Sequence, residues 1–190
     1  MEYLIILFLL LLNGLFAMSE IALVSSKRAR LEEKAQKGNK GAKTALKLLD
    51  EPEKFLSTVQ IGITLVGIIA GAYGGLAFAN DLAPILQNIP WLKNYANQAA
   101  IIIVVSVITY LSLIIGELVP KTIAFNNPEG ITIALAPFMK FLSWITTPIV
   151  YFLSISTKIF LKILLIKEKD KTPVTEEELK ILIEKGSQFG

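Results

Sequence analysis

The sequence predicts an all-α integral membrane fold with three transmembrane helices, short cytoplasmic helices after the first, and a bent, amphipathic juxtamembrane segment. Three observations lead there. Hydrophobic residues make up 53% of the 190, and the mean hydropathy is +0.58. The apolar residues fall in runs too long for the core helices of a globular domain. Lys and Arg gather between those runs, so where the positive residues lie, rather than the net charge of +3, sets the topology.

The first span is expected over residues 3–26. Only Glu2 precedes it, and Lys27, Arg28 and Arg30 follow it. A cleaved secretory signal carries its positive charges in front, so this segment is read as uncleaved, with its N-terminus outside. Residues 27–54 hold nine Lys or Arg against five Asp or Glu and read as short amphipathic cytoplasmic helices broken at 38–41. Spans two and three are expected over 55–80 and 98–125. The connection between them carries one acid and one base and is assigned to the outside, with Trp91 and Tyr95 at the level of an aromatic belt. Residues 131–166 are apolar enough for a fourth crossing, but Pro137 and Pro148 interrupt them, and Lys140, Lys158 and Lys162 stud them. A fourth crossing would also export "KEKDK". Positive-inside reasoning favours a bent element on the inner leaflet, its lysines reaching the cytoplasmic interface.

After this membrane domain, residues 1–166, the composition turns acidic. Thr175 and Glu178 form a capping box and Gly186 a stop, so 167–190 is expected to be a cytoplasmic helix leading into a soluble domain that the chain lacks. The protein is thus expected to be a multi-pass membrane protein with a cytoplasmic C-terminus.

Polar residues concentrate in the cytoplasmic half of each span. Asn13, Ser19 and Glu20 lie in the first; Ser57, Gln60 and Thr64 in the second; Gly116 and Glu117 in the third. Facing lipid, an acid near a helix centre costs roughly 2.5–3.5 kcal/mol on insertion scales, so these groups are expected around an inward-opening, partly wet pocket. In "GELVPKTIA", Pro120 has no N–H, and its ring clashes with the Gly116 carbonyl four residues earlier. Gly116 lets the backbone bend or bulge there. The motif thus offers a carbonyl and the Glu117 carboxylate at a helix break. Such an all-oxygen set suits a hard cation such as Mg2+, whereas zinc or copper sites favour the nitrogen and sulfur donors of His and Cys, of which the chain has none. Plainer readings stand beside this one. Glu117 can pair with Lys121 to fix the helix end, Glu20 can reach interfacial water or a lysine, Asn13 can bond another helix, and the glycines at 67, 71 and 74 can serve close helix packing.

The ordered segments "NGLFAMSEIALVSSKRARLE", "FLSTVQIGITLVGIIAGAYG" and "GELVPKTIAFNNPE", followed by "TEEELKILIEKG", resemble the transmembrane domain of the CorC and cyclin M magnesium transporters. The resemblance covers nearly the whole chain. It implies a homodimer in membrane lipid, with three spanning helices and a juxtamembrane helical belt over 131–166. It implies Mg2+ export coupled to inward movement of Na+, through a site at the three helices. By motif, Glu117 and the Gly116 carbonyl match the family's third-helix break, and Asn13, Ser19 and Glu20 its first-helix motif. Ser57 and Thr64 are second-helix candidates, although other members can carry asparagine in that motif. The adenine-nucleotide-binding CBS pair would follow residue 190. A function of another class is a Mg2+-responsive scaffold that regulates other transporters. Enzymatic activity is not expected, since without His or Cys the usual triads are missing. Nor is nucleic-acid binding, because membrane orientation already explains the loop lysines.

Overall fold

In a computed structural model that describes residues 2–165, the regular elements are all helical. They are α1 (Glu2–Ser25), α2 (Arg28–Gln36), α3 (Lys40–Asp50), α4 (Pro52–Gln87), α5 (Ala96–Leu113), α6 (Val119–Asn126) and α7 (Pro128–Ile163). A 3-10 turn, Lys93–Tyr95, leads into α5, and a π-helical turn, Ile114–Leu118, joins α5 to α6. Among the described residues, four helical stretches are long and apolar enough to cross a membrane: Glu2–Ser25, Pro52–Gln87, Lys93–Asn126 and Pro128–Ile163. The first three coincide with the expected spans, and the fourth begins where the juxtamembrane segment is expected. The acidic helix expected at 167–190 lies outside the described residues. Met1–Val150 forms one compact unit, and the chain from Tyr151 forms another, whose described part is the end of α7 and a turn.

The predicted cytoplasmic helices are α2 and α3, and local chemistry sets their boundary. Gly38 takes a positive φ of 90°, a conformation cheap for glycine alone, and the Asn39 side chain then caps α3 by accepting from the Ala42 N–H at 3.0 Å. Gly41 is therefore inside α3 rather than in the break. Arg28 ties the two helices, bonding Glu32 and, across the turn, Asp50, each at 3.0 Å.

Helix α4 runs further than expected, through Pro84 to Gln87. Proline costs one helical bond there, and Ala79, Ala83 and Leu86 pack on Ala96 and Ala100 of α5, burial that carries the helix past the end of the expected span. Lower down, Phe16 of α1 presses on the backbone of Gly62, where even a Cβ would sit 2.7 Å from the ring.

Glu129, Thr132, Ala136, Met139 and Ser143 are buried at alternating steps of three and four, which gives α7 one inward face. That face meets α1 through Ser19–Met139 (3.4 Å), the residue just after α1 through Ser26–Thr132 (2.9 Å), and α4 through Thr58–Thr146 (3.0 Å). Arg30 and Glu129 pair at 3.6 Å, fixing α2 to the start of α7. A further contact comes from α3. Pro137 cannot donate to the Ile133 carbonyl four residues before it, and the backbone of Gly41 lies against that same oxygen, too close to admit a Cβ.

Candidate functional site

Pro120 has the same effect in the third span. It follows the π-turn, in which the Val119 N–H reaches back to the Ile114 carbonyl, so the bulge expected at Gly116 takes the form of a wide turn. The Gly116 carbonyl receives a donor from another helix, Asn13 Nδ2 of α1, at 3.1 Å. Two glycines permit this approach. A Cβ on Gly116 would lie 3.0 Å from the Asn13 amide nitrogen, and one on Gly14 would lie 3.0 Å from the Pro120 ring and 3.1 Å from the Ile115 carbonyl. Asn13 Oδ1, the other end of the same amide, is buried and has no donor. A buried acceptor left unmet costs about 1–3 kcal/mol, so this oxygen is set up to meet something else.

Next to Gly116 in sequence, Glu117 is half-buried, and its Oε1 accepts from Lys121 Nζ at 2.7 Å. Its side chain is 39% exposed and that of Lys121 28%, a setting in which an ion pair contributes about 0–1 kcal/mol. The structure thus joins Asn13 to Gly116 directly, with Glu117 one residue on. The other sequence candidates stand apart from this pair. Ser19 is buried, with its hydroxyl shared between the Phe16 carbonyl (2.8 Å) and Met139 Sδ. Glu20 is half-buried and has no ion-pair partner among the described residues. On α4, Ser57 donates to the Glu53 carbonyl at 2.8 Å, while exposed Thr64 accepts from Gln60 at 3.3 Å. Among the described residues no three His, Cys, Asp or Glu side chains converge, so a cation here would be met largely by neutral oxygens.

Two contributors escape a reading of motifs. Gly14 matters because it brings α1 onto the π-turn, and a lone glycine in an apolar helix gives no such hint. Met139 closes over Ser19 from α7; its place in the buried three-four stripe was the available signal.

A profile of the cyclin M transmembrane N-terminal domain matches residues 4–190. The chain belongs to the cyclin M transmembrane family. This cyclin M domain is similar over its whole length to the UPF0053 protein sll0260 of Synechocystis, at 49% identity, and covers 42% of that protein. It is 28% identical to the polyamine export protein of Haemophilus influenzae over 96% of the chain, covering 42% of the relative. It is also 28% identical to the polyamine export protein of Escherichia coli, over 98% of the chain and again 42% of the relative. The cyclin M domain therefore spans about two fifths of the length of the curated relatives it matches.

Proposed function

We propose that this cyclin M domain exports Mg2+ from the cytoplasm, coupled to inward Na+ movement, through a site built on the π-turn of the third span. The observation that carries the reading is the unmet Asn13 oxygen, on the same amide whose nitrogen bonds the Gly116 carbonyl, with Glu117 the next residue of the π-turn. Mg2+ keeps several of its waters and takes one or two carboxylates, which fits a site with one acid and several neutral oxygens. The Gly116 carbonyl accepts one donor, Asn13 Nδ2, and keeps a second lone pair, and backbone of this kind at a broken membrane helix is a recognised source of cation ligands. Glu20, Ser19, Ser57 and Thr64 complete the candidate set from the inner halves of α1 and α4. The function is transport, with no bond-making chemistry.

In this reading α1, α4 and the α5–α6 stretch cross the membrane, with the N-terminus outside and α2 and α3 in the cytoplasm. The α7 contacts support a belt. Ser26–Thr132 and Ser19–Met139 advance equally on both helices, so α7 first rises beside α1 by about 10 Å. Its next two turns reach Thr58, which lies about as far below Gly62 as Ser19 lies below Phe16, and Gly62 and Phe16 touch. That second stretch gains almost no depth.

Purified protein in liposomes tests the proposal. Mg2+ flux under an imposed Na+ gradient is expected, and a protein that binds Mg2+ without moving it would be a sensor or scaffold. A second reading has its own support: Glu117 already holds a primary ammonium, that of Lys121, and two relatives are polyamine export proteins. Spermidine flux that exceeds and competes with Mg2+ flux would select that cargo.

The homodimer is proposed along α4, where Gly67 and Gly71 have open space within this chain. Gly67→Leu with Gly71→Leu is expected to leave the monomer folded and to shift the protein from dimer to monomer, as read by light scattering in detergent. An unchanged dimer mass would place the contact elsewhere.

A further inference from the structure

Between the end of α3, the start of α4 and the middle of α7 lies a cavity of about 480 Å³ that the transport reading does not use. Its wall carries Lys47 and Lys54 on one side and Lys140 on the other, together with Glu51, Phe141 and Trp144. Glu51 pairs with Lys54 at 3.4 Å. Lys47 and Lys140 have no ion-pair partner among the described residues. Three lysines and one glutamate thus line a common space. Beside them Trp144 is 74% exposed and Phe141 57% exposed, both outside the buried stripe of α7. A cationic cavity bordered by bare aromatic rings is complementary to a molecule with an anionic head and apolar tails. Lysines suit a phosphodiester as point charges, and tryptophan prefers headgroup depth. Basic pockets between membrane helices on the cytoplasmic side bind acidic headgroups.

We propose that this cavity binds an anionic phospholipid of the inner leaflet, with Lys47, Lys54 and Lys140 around its phosphodiester and its acyl chains along Phe141 and Trp144. The proposal rests on the belt reading, which puts α7 at the inner interface. The headgroup adds to the Thr58–Thr146 bond in holding α7 to α4, so the acidic-lipid content of the membrane sets how firmly the belt is seated.

The chain has two tryptophans, and Trp91→Phe leaves Trp144 as the single tryptophan, excited apart from the tyrosines at the red edge of the absorption band. In phosphatidylcholine vesicles, brominated phosphatidylglycerol is expected to quench Trp144 with at least roughly fivefold preference over brominated phosphatidylcholine. Lys140→Gln alone is expected to remove most of that preference, and Lys47→Gln, Lys54→Gln and Lys140→Gln together to abolish it. The three corresponding Arg substitutions should retain it, which separates lost charge from lost fold. Equal quenching by both lipids overturns the site and leaves the belt intact. Absence of quenching by either lipid overturns the belt placement with it. A preference that survives the triple Gln variant, or one that millimolar inorganic phosphate removes, overturns the lipid assignment, the latter in favour of a soluble phosphate ligand.

Discussion

Glu117→Gln is expected to weaken Mg2+ binding by roughly tenfold to a hundredfold, while Lys121→Gln strengthens it by up to about fivefold, both read by isothermal titration. The first figure is the loss of one charge-assisted interaction, about 1.5–3 kcal/mol. The second is the release of a half-exposed ion pair, about 0–1 kcal/mol. The opposite signs give the experiment its power. In the structure Glu117 is held by Lys121 at 2.7 Å, so an incoming cation competes with the lysine for the carboxylate. If the pair merely fixed the helix end, the two substitutions would act alike, lowering thermal stability slightly and leaving the titration unchanged. Glutamine keeps the shape of Glu117, so the fold and the Asn13–Gly116 bond should persist in both proteins. Parallel effects of the two variants on Mg2+ affinity would remove Glu117 from the site.

Gly41→Ala should be the more damaging of two glycine substitutions that look equivalent in sequence. A Cβ at Gly41 would collide with the Ile133 carbonyl, and a backbone oxygen cannot rotate aside as a side chain does. Overpacking of this kind costs about 1–3 kcal/mol, and the helix α7 would have to lift from α3. At Gly75 the nearest atom to an added Cβ is Val105 Cγ2 at 3.6 Å, an ordinary contact, and alanine is the better helix former by up to about 1 kcal/mol. Thermal unfolding in detergent should therefore show a lower midpoint for Gly41→Ala and an equal or higher one for Gly75→Ala. Equal midpoints would show that α3 does not bear on α7 at Ile133.

Much of the fold was legible because its signals are local. Long apolar runs gave the membrane helices, the Lys27–Lys54 charge cluster gave α2 and α3, and Pro120 after Gly116 gave the distortion of the third span. The continuation of α4 past the expected span was not legible, because the packing of Ala83 and Leu86 on α5 comes from residues distant in sequence. The site divides in the same way. Pro120 announces a carbonyl in need of a donor, but nothing in the motif says that Asn13 supplies it, since that depends on Gly14 bringing α1 close. The i, i+4 spacing of Glu117 and Lys121 was readable as an ion pair. That α7 covers Ser19 through Met139 could be seen only once α7 was placed against α1.

The π-turn also has a bearing on rotation about the axis of the third span. A turn of this width accommodates one residue more than a straight α-helix of equal height, and one residue corresponds to about 100° of twist. Pro120 and Ala124 owe their inward aim to that spare residue. Deleting one position within 114–118 would therefore straighten the cylinder and keep Pro120 and Ala124 on the face they now bury, whereas forcing all five residues into a regular α-helix would turn that face by about 100°.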